Sequence, residues 1–477
     1  MSAVVRAIRR RAVEAPSRPA LTGSLHLDCA GLADEIDRAV ALFDQILPVE
    51  PSRPIGLALD NGPAWVIADL ALAALGRPCL PLPPFFTDAQ GRHAVEDCGA
   101  AYILSGSTSG PRIGGQSILA KPTGAPARSL PSGVAKITYT SGSTASPKGV
   151  CLSQAQQDAV ATSIISVVGD EYAGVHLPVL PLGVLLENVA GLYATLLAGG
   201  TYHAAGLAEV GMGRPFQPDF AAFAAKVAET RATSLILTPE LLRGLIAAKT
   251  AMGLNLADLR LVAVGGAKVS PSLLQTAWSA GLPVYEGYGL TECASVVALN
   301  TPGASRQGSV GRPLPHIELE VSHDGEVVVG PGTYLGYVGQ PAPEGPLATG
   351  DLGALDALGF LSITGRRRNV IITAFGRNVS PEWVESELAA QPQIGQALVY
   401  GEGERHLSAL IVPVRPDIPA ETLEDAVTRA NAALPEYAQI GAWRAIPPFS
   451  PERGHLTANG RPRRQAILST YISGAAA

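Results

Sequence analysis

Hydroxyl side chains and glycine crowd ahead of a lysine in the stretch Ile137 to Val150, ITYTSGSTASPKGV. After a strand-like opening, Ile137-Thr138-Tyr139, the run Thr140, Ser141, Gly142, Ser143, Thr144, Ala145 and Ser146 leads into Pro147-Lys148-Gly149. Gly142 lets backbone N–H groups approach an anion closely, the hydroxyls of Ser141, Ser143 and Thr144 can donate to it, and Lys148 brings a compact positive charge. A polyphosphate suits this chemistry. A surface turn with a solvated lysine has the same composition, and the stretch departs from the Walker pattern because Pro147 stands where a glycine would precede the lysine. Taken alone, it leaves both readings open.

The elements that must position this loop come from a chain of 477 residues, longer than one hydrophobic core normally supports, so at least two domains are expected. Charged residues are 16% and apolar ones 47%, the balance of a folded chain and not a disordered one. A formal net charge of -6 gives no reason to expect nucleic acid or an anionic membrane as partner. The five cysteines, Cys29, Cys79, Cys98, Cys151 and Cys293, show no C-x-x-C spacing, which argues against a disulfide framework or a zinc site and for a reducing, cytoplasmic setting. The N-terminus carries Arg6, Arg9, Arg10 and Arg11 with no apolar run after them, so it reads as a short amphipathic helix with no export signal. The longest uncharged run, Asn188 to Ala208, is interrupted by glycines and reads as helix, turn and strand, so no transmembrane segment is expected.

From Arg18 to Pro84 short apolar strands alternate with helical stretches, Ala33 to Leu47 and Ala64 to Leu75, with Asp60 and Asn61 as candidate helix caps. Gly106 to Gly133 reads as loop or short hairpin, and Gln154 to Val168 as a helix. Ala232 to Leu237, Leu259 to Val264 and Leu282 to Tyr285 read as buried strands of a mostly parallel sheet. Ile317 to Val329 alternates about a His323-Asp324-Gly325 turn, and Gln396 to Val414 followed by a helix from Thr422 to Leu434 predicts a small α+β unit. The expected class is therefore α/β: a large N-terminal domain of layered sheets and helices, a β-rich piece, and a small C-terminal α+β domain.

The loop at 137–150 resembles the phosphate-loop signature of the adenylate-forming superfamily, which contains acyl-CoA synthetases, nonribosomal peptide adenylation domains and firefly luciferase. Further stretches are similar to that family's motifs, in the family's order: Gly265-Gly266-Ala267, YEGYGLTECA from Tyr285 to Ala294, TGDLGALDALGFLSITGRRR from Thr349, and Asn459-Gly460-Arg461. The resemblance implies that Thr140 to Thr144 and Lys148 wrap the β- and γ-phosphates of ATP, that Gly265, Gly266 and Ala267 lie against adenine, and that Tyr288 stacks on it. It further implies that Thr291 contacts the α-phosphate, Glu292 holds Mg²⁺, and Asp351 with Arg366 reaches the ribose. Each role suits its residue, since a flat ring fits a flat base and a hard carboxylate a hard cation. Two departures stand out. Where the family often has a histidine or aromatic at the floor of the acid pocket, this chain has Gly183 and Val184 followed by Leu185. Where it has lysine bridging substrate carboxylate and α-phosphate, this chain has Arg461, which keeps the charge on a longer, planar head.

By the same resemblance residues 1–365 form the AMP-binding domain and 366–477 a mobile C-terminal domain, with Arg368 at the hinge and Gly376 lining the CoA channel. The implied reaction is ATP-dependent formation of an acyl-AMP with release of pyrophosphate, then thioester formation with CoA. Cofactors are ATP, Mg²⁺ and CoA, with a free acyl carrier protein as the competing acceptor. The apolar Val184 and Leu185, together with Gly287, favour a medium- or long-chain fatty acid. An aryl- or amino-acid adenylating module and a non-catalytic nucleotide-binding relative are the alternatives, the latter on Arg461 alone.

Overall fold

The computed structural model describes residues 2–140, 147–214, 217–457 and 460–472. Two large sheets carry most of the chain, the first mostly parallel and the second mixed. One has nine strands, in spatial order Arg312–Pro313, Ala298–Leu299, Val284–Tyr288, Leu261–Val264, Ser234–Leu237, Val175–His176, Thr201–Ala204, Pro19–Gly23 and Leu27–Asp28. The other has eight, running from Gly336–Tyr337 and Lys148–Ser153 through Val134–Thr140, Cys79–Pro81, Ile55–Ala58 and Tyr102–Gly106 to Gln116–Pro122 and Arg112–Ile113. Gly106 to Gly133 thus supplies a hairpin, and the expected helix at Gln154–Val168 is present, opened by a Ser153–Gln156 capping box.

The helix Pro63–Leu75 explains how the sheets join. Its sequence, PAWVIADLALAAL, is apolar all round except for Asp69, and Pro63 to Leu72 are all buried, the signature of a helix enclosed on every side. One core cluster accordingly takes Trp65, Val66 and Ile67 together with Val150 of one sheet and Tyr202 and Ile236 of the other. Asp60 and Asn61 do not cap this helix: Gly62 is its N-cap, with no side-chain hydrogen bond. Asn61 instead accepts from Leu182 N at 2.7 Å and donates to Leu180 O at 2.9 Å, tying the helix entry to the loop before Val184. The segment after Leu185 is helical, as expected, but Leu186–Tyr193 adopts the wider π form before Ala194–Ala198 and the strand Thr201–Ala204.

Beyond the large sheets, Leu319–Val321, Glu326–Val329, Leu347–Leu355 and Leu361–Arg366 form a four-stranded antiparallel sheet, turned at Gly325 with φ +81°. The C-terminal piece has its own core, in which Val384, Leu388, Val399, Ile411 and Val427 pack helices Pro381–Ala389 and Ala420–Ala432 onto the strands Ile394–Tyr400, Leu407–Pro413 and Ile440–Ala445. The α/β class with a small α+β C-terminal unit is what the sequence predicts. All five cysteines are buried and unpaired. Among the described residues no helix is long and apolar enough to cross a membrane.

Candidate active site

The strands Val134–Thr140 and Lys148–Ser153 pair antiparallel, so that Thr140 stands opposite Lys148 at the two ends of the connection between them. Ser141, Gly142, Ser143 and Thr144, the remaining expected phosphate ligands, lie outside the described residues. Pro147 is held from the side by the helix Asp88–Cys98, whose His93 Nε2 is 3.1 Å from its carbonyl oxygen. Lys148 is exposed, and its Nζ lies 5.2 Å from the ring centroid of Tyr337. The Tyr337 hydroxyl donates to Glu292 Oε1 at 2.8 Å, so one side chain touches both the phosphate-loop lysine and the expected metal ligand. Sequence reasoning passed over Tyr337. Its signal was the pair Tyr334 and Tyr337 in an otherwise Gly- and Pro-rich connection.

Glu292 is placed by the strand Val284–Tyr288 and the short turn Thr291–Cys293 that follows, which brings Tyr288, Thr291 and Glu292 within one tight bend. The bend is strained. Ala294 and Ser295 have φ of 52° and 117°, left-handed values that cost a non-glycine residue about 1–3 kcal/mol each. Gly289 is needed there, because a Cβ would stand 1.6 Å from Ser295 O. Tyr288 points its hydroxyl at Asp351 Oδ2, 2.7 Å away, and burial together with that carboxylate pushes its phenol well up. Asp351 and Arg366 are direct cross-strand partners in the four-stranded sheet, and Arg366 Nε lies 2.9 Å from Asp351 Oδ1. The neighbouring Arg367 takes Asp324 at 2.6 Å and Glu326 at 3.1 Å.

Gly265 and Gly266 follow the strand Leu261–Val264. Gly265 has no room for a side chain, since a Cβ would lie 2.9 Å from Gly287 O, and Gly266 takes φ +81°. Ala267 continues this turn. Arg461 reaches it from 195 residues away, its Nη2 donating to Gly266 O at 3.1 Å. Arg461 is exposed, and partial desolvation, with Arg366 and Arg368 nearby, lowers its pKa while Asp351 opposes. Buried Glu286, next to this turn, is pushed up to about 7 by desolvation, offset in part by Lys268 and the Val269 amide.

Other expected residues stand apart. Leu185 is buried in the core between the sheets, Val184 is half-buried where the π-helix begins, and Gly183 packs on Pro83. At Gly287 the missing side chain is explained by packing, since a Cβ would meet Leu299 Cδ1 at 3.1 Å. Gly376 makes an exposed turn at φ +67°, donating its N–H to Thr373 O. Arg464 pairs with Glu385 at 2.5 Å. A cavity of about 860 Å³ lined by Leu59, Asp60, Pro83, Phe86, Arg92 and Lys121 shares no residue with the Tyr288–Asp351 cluster.

The description "AMP-binding enzyme" belongs to the family profile that matches residues 8–338, and "AMP-binding enzyme C-terminal domain" to the one that matches 368–474. Long-chain-fatty-acid–CoA ligase FadD15 of Mycobacterium bovis is 33% identical over 248 residues, 45% of this chain and 41% of that protein. The 2-succinylbenzoate–CoA ligase of Bacillus cereus is 31% identical over 284 residues, 56% of each. The chain thus spans only about half the length of these relatives. The solved structure of the anthranilate CoA ligase AuaEII in complex with anthranoyl-AMP superposes with a TM-score of 0.79 at 19% identity, covering 98% of this chain and 96% of that one, and so shares its fold.

Proposed function

The chain belongs to the AMP-binding enzyme family, and from that premise we propose that it activates a carboxylic acid with ATP and transfers the acyl group to CoA. The observation that carries this reading is the contact of Arg461 with Gly266 O beside Asp351 and Arg366, which sets a C-terminal cation at the edge of the expected nucleotide site. Tyr288 offers its ring to adenine while its hydroxyl steadies Asp351, and Asp351 is the acceptor for a ribose diol. Lys148, with Thr140, takes the β- and γ-phosphates. The substrate carboxylate attacks the α-phosphorus, the bond to the bridging oxygen breaks, and pyrophosphate leaves with its charge offset by Lys148. Arg461 can hold the incoming carboxylate or an α-phosphate oxygen through two N–H donors. A thiol then attacks the acyl carbon, AMP departs, and the thiol proton passes to solvent.

No group of three His, Cys, Asp or Glu side chains stands ready to hold a metal among the described residues. Glu292 alone nevertheless fits Mg²⁺, which binds through one or two carboxylates and substrate phosphates; bound there, it would neutralise phosphate charge. The reading takes 1–365 as the nucleotide-binding domain and 366–477 as the mobile one, hinged at Arg368, with Gly376 passing the thiol arm. A medium- or long-chain fatty acid is the proposed substrate, supported by apolar Val184 and by the relative named for long-chain fatty acids. An aryl acid is the second reading, favoured by the relative named for 2-succinylbenzoate. Five free cysteines support a reducing, cytoplasmic setting.

ATP–pyrophosphate exchange with decanoate, palmitate, benzoate, acetate and an amino-acid panel, with and without CoA, tests this. Exchange with the fatty acids and an acyl-CoA product is expected; faster exchange with benzoate or acetate would overturn the fatty-acid assignment. Arg461→Ala should lower exchange at least tenfold and Arg461→Lys retain it. Silence across the panel with ATP still bound would overturn the CoA-ligase reading in favour of a carrier-specific or non-catalytic protein.

A further inference from the structure

Resting on the adenylation reading above, we propose that Tyr337 is a positioning residue that fixes the distance between Lys148 and Glu292, one face of its ring holding the lysine and its hydroxyl holding the carboxylate. The backbone of Tyr337 is strapped to the strand that Lys148 begins: Gly336 pairs with Cys151 and Tyr337 with Val150. Leu335 N donates to Cys151 O at 2.9 Å and Val338 N to Gly149 O at 2.8 Å. Gly149 makes this approach feasible, since a Cβ there would stand 2.8 Å from both Val338 Cγ2 and Tyr139 Cζ. Tyr334 meets the Tyr337 ring edge-on, centroids 5.3 Å apart at 67°, which limits its rotation.

From this anchored position the side chain spans the two large sheets. Lys148 belongs to the eight-stranded one, and Glu292 follows the strand Val284–Tyr288 of the nine-stranded one. A lysine ammonium on a four-carbon stem has no preferred direction of its own, and a ring 5.2 Å from it supplies one. A single carboxylate is equally free to rotate until a donor, here at 2.8 Å, fixes one oxygen and leaves the other available to a cation.

The two arms separate by substitution. Tyr337→Phe keeps the ring and removes the donor; Tyr337→Leu removes both. In the full chain, ATP binding is titrated in EDTA and again against rising Mg²⁺, with pyrophosphate-exchange kinetics and Tm alongside. Tyr337→Phe should bind metal-free ATP within about twofold of the original protein while needing about tenfold more Mg²⁺ for half-saturation, with kcat falling more than KM for ATP rises. Tyr337→Leu should in addition weaken metal-free ATP binding about two- to fivefold. If Tyr337→Phe keeps the original Mg²⁺ dependence, the tyrosine only packs and the proposal is overturned, and that variant decides the matter even if Tyr337→Leu does not fold. Failure of the unsubstituted protein to bind ATP at all would overturn the adenylation reading as well.

Discussion

Two aspartates in this molecule have nearly the same partners. Asp69 accepts from Lys136 Nζ at 2.9 Å and from the Tyr193 hydroxyl at 2.6 Å; Asp351 accepts from Arg366 Nε at 2.9 Å and from the Tyr288 hydroxyl at 2.7 Å. Their surroundings differ. Lys136 and Asp69 are 2% and 1% exposed, and Asn188 of the π-helix closes the group by bonding to both, whereas Arg366 keeps 42% of its side chain in contact with solvent. The first cluster has no free valence or opening and joins one helix, one strand and the π-helix. In the second, Asp351 is also buried, at 5% exposed, but the arginine can leave it without being stranded in apolar surroundings, so the cluster is open on the arginine's side alone. Similar partners thus sit in a closed cluster around Asp69 and in one open on its cation's side around Asp351, and that difference is what the proposed site role of Asp351 rests on.

The sharpest way to break the comparison is to remove one cation from each cluster. Lys136→Ala leaves a buried carboxylate uncompensated and should destabilise the fold by about 3–5 kcal/mol in denaturant titration. Arg366→Ala should cost less, about 1 kcal/mol, because Arg366 is itself 42% exposed and Tyr288 still donates to Asp351. Glu286 supplies the intermediate case, a buried carboxylate with Lys268 near enough only to moderate its shift. Its folded pKa of about 7 lies above the ordinary 4.5, so the folded state binds the extra proton and stability falls as pH rises from about 4.5 to about 7. Glu286→Gln should remove that fall, gaining up to ~3 kcal/mol at pH 8 and almost nothing at pH 4, read as Tm against pH. Asp351→Ala should weaken ATP binding about ten- to thirtyfold by calorimetry while shifting Tm little, since hydrogen bonds to charged groups contribute ~1.5–3 kcal/mol each. The smallest contrast is between hydroxyls: Tyr193→Phe should cost about 1–2 kcal/mol of stability, and Tyr288→Phe under about 1 kcal/mol, with a two- to fivefold loss in ATP affinity.

Much of the fold was legible because local patterns carried it. The alternation around Ala64 to Leu75, the serine-capped helix at Gln154–Val168 and the turn at Gly325 each follow from periodicity, capping or a single glycine. Misreadings came where a side chain had a distant partner. Asn61 resembles a cap in sequence but bonds to Leu180 and Leu182. The π form at Leu186–Tyr193 has no local signal, because its turns pack Asn188 and Glu187 into buried polar groups contributed by other elements.

For the proposed site, motif order in the sequence points to Tyr288, Glu292, Asp351, Arg366 and Arg461. Residue type and spacing determine what chemistry a stretch can perform, and that information is local. Which groups meet is decided by strand register and sheet packing: register sets Asp351 opposite Arg366, a two-residue strand carries Tyr337 between Lys148 and Glu292, and chain return delivers Arg461 to Gly266. Contacts between residues far apart in the chain depend on closing long loops and burying a common core, so only the tertiary structure could reveal them.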